Sequence, residues 1–274
     1  MNTAEVNAAR PFVGVGNTMA LGRRLTVAVS GDRLTVVSPT SPAYRIVSGF
    51  INNALTRSII TANATNIYFH RASIMGIAMS AMHHSFNIQH DFPEGVRIYE
   101  QDHCGNAPNM RMGWVLPGNP RSANACGWVA AFNSFIDIDR FVHPADIIRF
   151  IEREGWLIAE GMFGVNPRAH QALFRRWFRD WGVTREYRVR TTFAERNLDG
   201  LARAARTAIL CYFNPHPWGA PFGGAHYVTI RWDEAAGRYM MWNGPVNTFP
   251  SIGGFLDAPL PVGNRSFLSL TTID

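Results

Sequence analysis

The chain contains no lysine. All 26 of its basic Lys/Arg positions are arginine, against 20 acidic residues and nine histidines, for a formal net charge of +6. Lysine is ordinarily among the commonest residues, so its absence has a cause. A genome rich in arginine codons is the simplest one. Selection against primary amines is the other: a protein delivered into a eukaryotic cytosol escapes ubiquitin attachment, and an acyl-transferring enzyme escapes modifying itself. Arginine keeps the charge and a fork of donors while removing the amine nucleophile. The arginines are scattered, except for Arg175, Arg176, Arg179, Arg185, Arg188 and Arg190. A solvated helix face and strand edge accounts for that cluster more simply than an acidic partner, and no nucleic-acid motif accompanies it.

Other absences narrow the class further. Three cysteines, Cys104, Cys126 and Cys211, make no disulfide framework. An odd count in a chain of 274 residues fits a reducing compartment and one working thiol. No apolar run reaches the roughly 18 residues of a membrane span; the longest, Ile74-Met-Gly-Ile-Ala-Met-Ser-Ala-Met82, reads as core. Met1-Asn-Thr-Ala-Glu-Val-Asn7 has neither a basic nor an apolar leader region, so no Sec signal is expected. The expected location is the cytoplasm, or a host or rival cell reached without a Sec signal, in which case a host protein joins the candidate partners. His103 and Cys104 lack a second pair at ligand spacing, so no metal is expected. The Walker and dinucleotide patterns are missing, so no nucleotide or other cofactor is expected.

Hydrophobic residues make up 47% of the chain, enough for a sizeable core. Residues 1–21 read as a loose arm. Two β-branched runs between Arg24 and Ser38, broken at Ser30-Gly-Asp32, predict a hairpin. Ile46, Phe50, Ile51, Leu55 and Ile59 predict an amphipathic helix over 43–61, and a second helix is expected over 70–85. Residues 91–121 have loop composition. The predicted organisation is an accessory region over 1–95, a hairpin plus helices, followed by a main domain over 96–274.

In that domain the helices are well punctuated. Pro144 suits a first helical position after His143, and Gly155 the position past the end. Asn166 caps a helix at Pro167 whose apolar stripe is Leu173, Phe174, Trp177, Phe178 and Trp181, with Gly182 ending it. A strand is expected over 187–193, a helix over 194–206 and a buried strand over 207–213, where Cys211 reads as a core thiol. Fold class is therefore α+β.

Chemistry concentrates at Ser122-Ala-Asn-Ala-Cys126-Gly-Trp-Val-Ala-Ala-Phe-Asn-Ser-Phe135, where a cysteine opens an apolar helix. A thiol there faces the positive end of the macrodipole and free backbone N–H groups, which favour the thiolate. In Gly223-Gly-Ala-His226-Tyr-Val-Thr-Ile-Arg-Trp232 a histidine begins an alternating strand, and a second strand, Arg238-Tyr-Met-Met-Trp242, ends at Asn243. Nucleophile, base and orienter follow in that order. Each has a plain alternative: a buried structural cysteine, a satisfied core histidine, a turn asparagine before Gly244-Pro245. Cys104 is the rival nucleophile, but Asn106-Ala-Pro108 stands where its helix should be.

Cysteine-glycine at a helix start, the Gly-Gly-x-His strand and the strand ending in asparagine resemble the papain-like cysteine peptidases, most closely their C39-like branch. The resemblance covers about residues 119–250. It extends to Val142-His-Pro-Ala-Asp-Ile-Ile-Arg-Phe-Ile-Glu-Arg-Glu-Gly155, similar to the family's second helix, and to Phe163-Gly-Val-Asn-Pro167, similar to its entry to a third. It implies a helical lobe packed on an antiparallel sheet, with the site between them. It also implies hydrolysis of an amide bond in a peptide or protein: Cys126 attacks, His226 shuttles the proton, and the Asn243 amide oxygen orients the imidazole. The family carries a glutamine oxyanion donor shortly before its cysteine, where this chain has Pro120. The candidates left for that role beside the Cys126 N–H are Asn124, Asn119 and Gln101. Acyl transfer, transglutamination or glutamine deamidation by a papain-like toxin, and an inactive peptide-binding module, are the alternatives.

Overall fold

The computed structural model describes residues 26–30, 33–37, 74–113, 121–157, 164–214, 224–260 and 264–274. The helix expected over 43–61 lies outside them. Strands β1 (Thr26–Ser30) and β2 (Arg33–Val37) pair antiparallel from Thr26 opposite Val37 to Ser30 opposite Arg33, as the hairpin reading requires. Five further helices follow α1 (Ile74–Asn87) among the described residues: α2 (Cys126–Asp137), α3 (Pro144–Arg153), α4 (Arg168–Asp180), α5 (Leu198–Arg203) and α6 (Ile252–Asp257). The main sheet contains β3 (Val189–Thr192), β4 (Thr207–Asn214), β5 (Gly224–Asp233), β6 (Arg238–Trp242), β7 (Thr248–Phe249) and β8 (Ser266–Ile273). Their order is β3-β8-β4-β5-β6-β7, with every pairing antiparallel. The class is α+β. Among the described residues no helix is long and apolar enough to cross a membrane.

Both faces of the sheet are covered, which is why β4 reads as one unbroken apolar run. Successive side chains of a strand point to opposite faces. Ile209, Cys211 and Phe213 therefore join the larger core, with Tyr227, α2, α3 and α4. Ala208, Leu210 and Tyr212 join the smaller one, with Val228, Ile230, Tyr239, α5 and α6. Helix α2 is the centre of the larger core. Every residue from Cys126 to Ile136 is buried, and a helix apolar all round must be enclosed. Phe135 meets Phe174 at 4.4 Å and Trp181 at 5.7 Å between ring centroids, so the aromatic stripe of α4 is core.

The helix ends behave as their residues dictate. The His143 imidazole accepts a hydrogen bond from the Ala145 N–H at 3.1 Å, capping α3. Gly155 and Gly182 take left-handed φ of 72° and 73° just past α3 and α4. In each case the next N–H returns to the third-last helical carbonyl: Trp156 to Ile151 and Val183 to Phe178, both at 2.9 Å. The helix expected over 194–206 is shorter, Leu198–Arg203, because Asn197 adopts a left-handed φ of 56° that no helix can run through.

Helix α1 packs along α3 through polar contacts. Ser80 Oγ donates to the Arg149 carbonyl at 3.3 Å, and His84 meets Asp146 at 2.9 Å. The buried Glu152 Oε1 contacts His83 Nδ1 at 2.6 Å and accepts the Gly113 N–H at 2.8 Å, tying α1, α3 and the following loop together. The Asn133 side chain, on α2, bonds both backbone groups of Ile98, at 2.8 and 2.9 Å. The loop that carries residues 98–104 is thereby fixed against the helix that Cys126 begins.

Candidate active site

Cys126 is the first residue of α2 and is 5% exposed. A 3-10 turn, Arg121–Asn124, leads into it, and the Ala125 N–H closes that turn on the Ser122 carbonyl at 2.9 Å. The glycine that follows answers to packing. A Cβ at Gly127 would lie 2.6 Å from Val165 Cγ2, where an isolated bridge joins Leu157 to Val165. The Gly127 carbonyl accepts a 2.8 Å hydrogen bond from His170 Nε2, and the Tyr227 hydroxyl donates to the Val165 carbonyl at 2.7 Å. The start of α2 is thus pressed between the sheet and the segment entering α4.

Backbone groups of Tyr227, Gly127 and Cys126 itself act on the thiol and pull it down. Tyr227 follows His226 in β5, the strand against which the helix packs. The expectation of a resting thiolate does not hold. Burial raises the thiol to about 11, outweighing the backbone N–H groups that pull it down, and the nearby charge of Asp102 adds to the rise. A helix start favours an anion only to the extent that water or donors replace its lost solvation.

His226 stands opposite Tyr212 in the β4–β5 register, with its ring edge-on to the phenol at 5.8 Å. Its Nε2 lies 2.6 Å from the backbone carbonyl oxygen of Asn243. A carbonyl only accepts, so Nε2 carries the proton and Nδ1 is the basic nitrogen. Burial lowers the imidazole below its ordinary range, while the Asn243 carbonyl and the charge of Asp102 oppose that shift. At rest Cys126 is therefore a neutral thiol and His226 a neutral imidazole.

Asn243 sits next to His226, but it reaches the imidazole through its main chain. The expected contact from the amide oxygen is absent, because that oxygen accepts the Gln101 N–H at 3.0 Å. The amide nitrogen donates to Gln101 Oε1 at 3.0 Å and to the Tyr227 carbonyl at 3.4 Å, and the Asn243 N–H donates to the Tyr99 carbonyl at 3.0 Å. Asparagine tolerates the left-handed φ of 62° found here better than most residues, and that conformation turns the carbonyl toward the imidazole. Gln101 goes on to donate from Nε2 to the Ser122 carbonyl at 2.7 Å.

Of the three expected oxyanion donors, Asn119 lies outside the described residues. Asn124 is 6% exposed and donates from Nδ2 to the Met112 carbonyl at 3.2 Å. The residue at the cap position of α2 is Ala125, which makes no side-chain cap. Asn124→Ala is therefore expected to cost about 1–3 kcal/mol, by orphaning a buried carbonyl. Thermal melts and turnover measured together check this. A hundredfold fall in turnover at an unchanged melting point would return Asn124 to the oxyanion role.

The rival Cys104 is partly buried and accepts the Glu100 N–H at 3.3 Å within a turn, so its sulfur serves the loop. Cys211 is buried, and burial pushes its thiol far up. Two residues escaped notice in the sequence. Asp102 is exposed and is the charge that acts on both Cys126 and His226. Nothing in its spacing marks it, because only the loop's path brings it there. His170 is 1% exposed. It does continue the apolar stripe of Leu173, Phe174 and Trp177 at helical spacing, and that was the available signal.

His170 is expected to make the protein acid-sensitive. Burial lowers its imidazole from 6.5 to about 4, and the Gly127 carbonyl only partly resists this. Between those values the unfolded chain binds a proton that the folded one refuses. Its contribution to stability is present above pH 6.5 and is lost as pH falls through about 4, up to roughly 3 kcal/mol. His226, lowered in the same direction, adds to the slope. Melting temperature is expected to fall from pH 7 to pH 4, and His170→Gln should flatten the fall. An unchanged slope in that variant would contradict the assignment.

No protein-family model matches the chain, and no curated protein matches it.

Proposed function

We propose that this protein is a cysteine-dependent hydrolase of amide bonds with a papain-like arrangement, acting on a peptide or protein. The observation that carries the reading is the junction at Tyr227. Its backbone acts on the Cys126 thiol, and the preceding His226 has its Nε2 proton held by the Asn243 carbonyl. A thiol needs a base with a defined tautomer, and here the free lone pair of the imidazole is on Nδ1.

In this mechanism His226 Nδ1 takes the Cys126 proton as the sulfur attacks the substrate carbonyl carbon. The Cys126 backbone N–H, at the helix start, faces the developing oxyanion. The tetrahedral adduct collapses, the amine leaves with the proton from His226, and a thioester remains. Water, deprotonated by His226, then releases the acid and frees the thiol. The neutral resting thiol and imidazole mean that charge develops during reaction, as the sulfur attacks the carbonyl. The positive imidazolium formed at that moment lies within the field of Asp102.

A second reading keeps the same thioester and replaces water with an amine, giving acyl transfer. The absence of lysine favours it, since such an enzyme offers itself no primary side-chain amine. Mass spectrometry of a cell lysate treated with the protein and with Cys126→Ala separates the readings. New chain ends support hydrolysis, added acyl groups support transfer, and deamidated glutamines support deamidation. Identical lysates would leave a binding module.

A further inference from the structure

We propose that Gln101 is a positioning residue for the Cys126–His226 pair, holding the Asn243 carbonyl on the imidazole and tying it to the turn before the cysteine. The inference rests on the thiol-hydrolase reading above. Gln101 stands 25 positions before Cys126 and 142 before Asn243, yet it is bonded at both places. Its N–H and Oε1 take the two ends of the Asn243 amide, each at 3.0 Å, and its Nε2 reaches the Ser122 carbonyl at 2.7 Å. All three bonds are buried. The amide of Asn243 is thereby locked, which fixes the peptide whose oxygen meets His226 Nε2 at 2.6 Å. Ser122 in turn receives the Ala125 N–H one residue before the thiol. One side chain thus links the element carrying the base to the element carrying the nucleophile, and it acts on the reacting atoms only through them. These bonds also occupy Gln101 in a way that an oxyanion donor would not be.

The chemical consequence is a pH effect. The Asn243 carbonyl stabilises the imidazolium, so misplacing it makes His226 a weaker base and moves formation of the thiolate to higher pH. The ionisable groups around the pair are Asp102 from the loop, Tyr212 with Arg265 behind it, Cys211 and Tyr227 from the sheet, and His170 on α4. None of these bonds Gln101 in the described contacts.

The test is the rate of alkylation of each cysteine of the whole protein by iodoacetamide from pH 6 to 12, followed by mass spectrometry of its peptides. Gln101→Met keeps the bulk and loses the polar atoms. It is expected to slow Cys126 alkylation at pH 7 by about 100-fold, the cost of an ångström of misplacement, and to move the midpoint of the profile upward. Asn87→Ala is the structural control. It removes the same kind of amide pair, from Arg111, at 2.8 Å on each side, far along the loop. It should lower the melting temperature and leave the midpoint in place. A folded Gln101→Met with the wild-type profile overturns the proposal. If Gln101→Met does not fold, Asn243→Gly cuts the same pair from the other end and keeps the backbone angle. The same upward shift is expected there, and no shift overturns the proposal. Should Cys126→Ala keep wild-type turnover of an amide substrate, the thiol-hydrolase reading itself fails and the positioning role with it.

Discussion

Cys126→Ala is expected to reduce turnover by at least about a thousandfold, because only binding and oxyanion contacts would remain to accelerate the reaction. The fold is expected to survive. The change removes one sulfur from a site enclosed by α2 and β5, at a cost of about 1 kcal/mol for the small cavity left behind. The helix start does not depend on the thiol, because Ala125 and the Ser122 carbonyl set it through the backbone. Turnover of an amide substrate and near-ultraviolet circular dichroism on the same sample give both quantities. Activity within tenfold of wild type would move the nucleophile elsewhere, with Cys104 the remaining partly exposed thiol. Cys126→Ser is the more demanding version. It keeps a polar group of similar size at the helix start yet presents an oxygen nucleophile whose proton His226 removes far less readily.

Much of this arrangement was legible in the chain. Helix punctuation by His143, Gly155 and Gly182 is local chemistry, and local chemistry is what a sequence displays. The two-face burial of β4 showed as an unbroken apolar run for the same reason. The placement of Cys126 at a helix start and of His226 at the head of a strand likewise needs no long-range information. What stayed hidden depends on chain path. Gln101 was only a distant candidate donor, because nothing nearby in sequence indicates that it meets Asn243. Asn243 does meet His226, but through its main-chain carbonyl and not its amide oxygen, and a left-handed φ of 62° accompanies that arrangement. The thiolate expectation failed on a balance of magnitudes. The helix-start donors are visible in sequence, whereas the depth of burial that outweighs them is a property of the packed core.

The same geometry separates His226 from Asn243. His226→Ala is expected to match Cys126→Ala in lost turnover, since a nucleophile and its base act as a unit and either loss costs nearly the whole. Asn243→Gly should behave differently, because the group that touches His226 is a carbonyl that every residue has. Glycine also accepts the left-handed angle without strain. What it loses is the pairing with Gln101, leaving a buried N–H and a buried amide oxygen without partners, at about 1–3 kcal/mol each. Asn243→Gly is thus expected to show a large drop in melting temperature and to retain roughly a hundredth of wild-type turnover where it is folded. Asn243→Ala adds about 1–2 kcal/mol for the left-handed angle and should melt lower still. Measuring turnover and melting temperature on all three variants decides the matter. A folded Asn243→Gly as inactive as His226→Ala would show that the amide itself takes part in the chemistry. Wild-type stability in Asn243→Gly would mean that the Gln101 pair contributes nothing to holding the carbonyl in place.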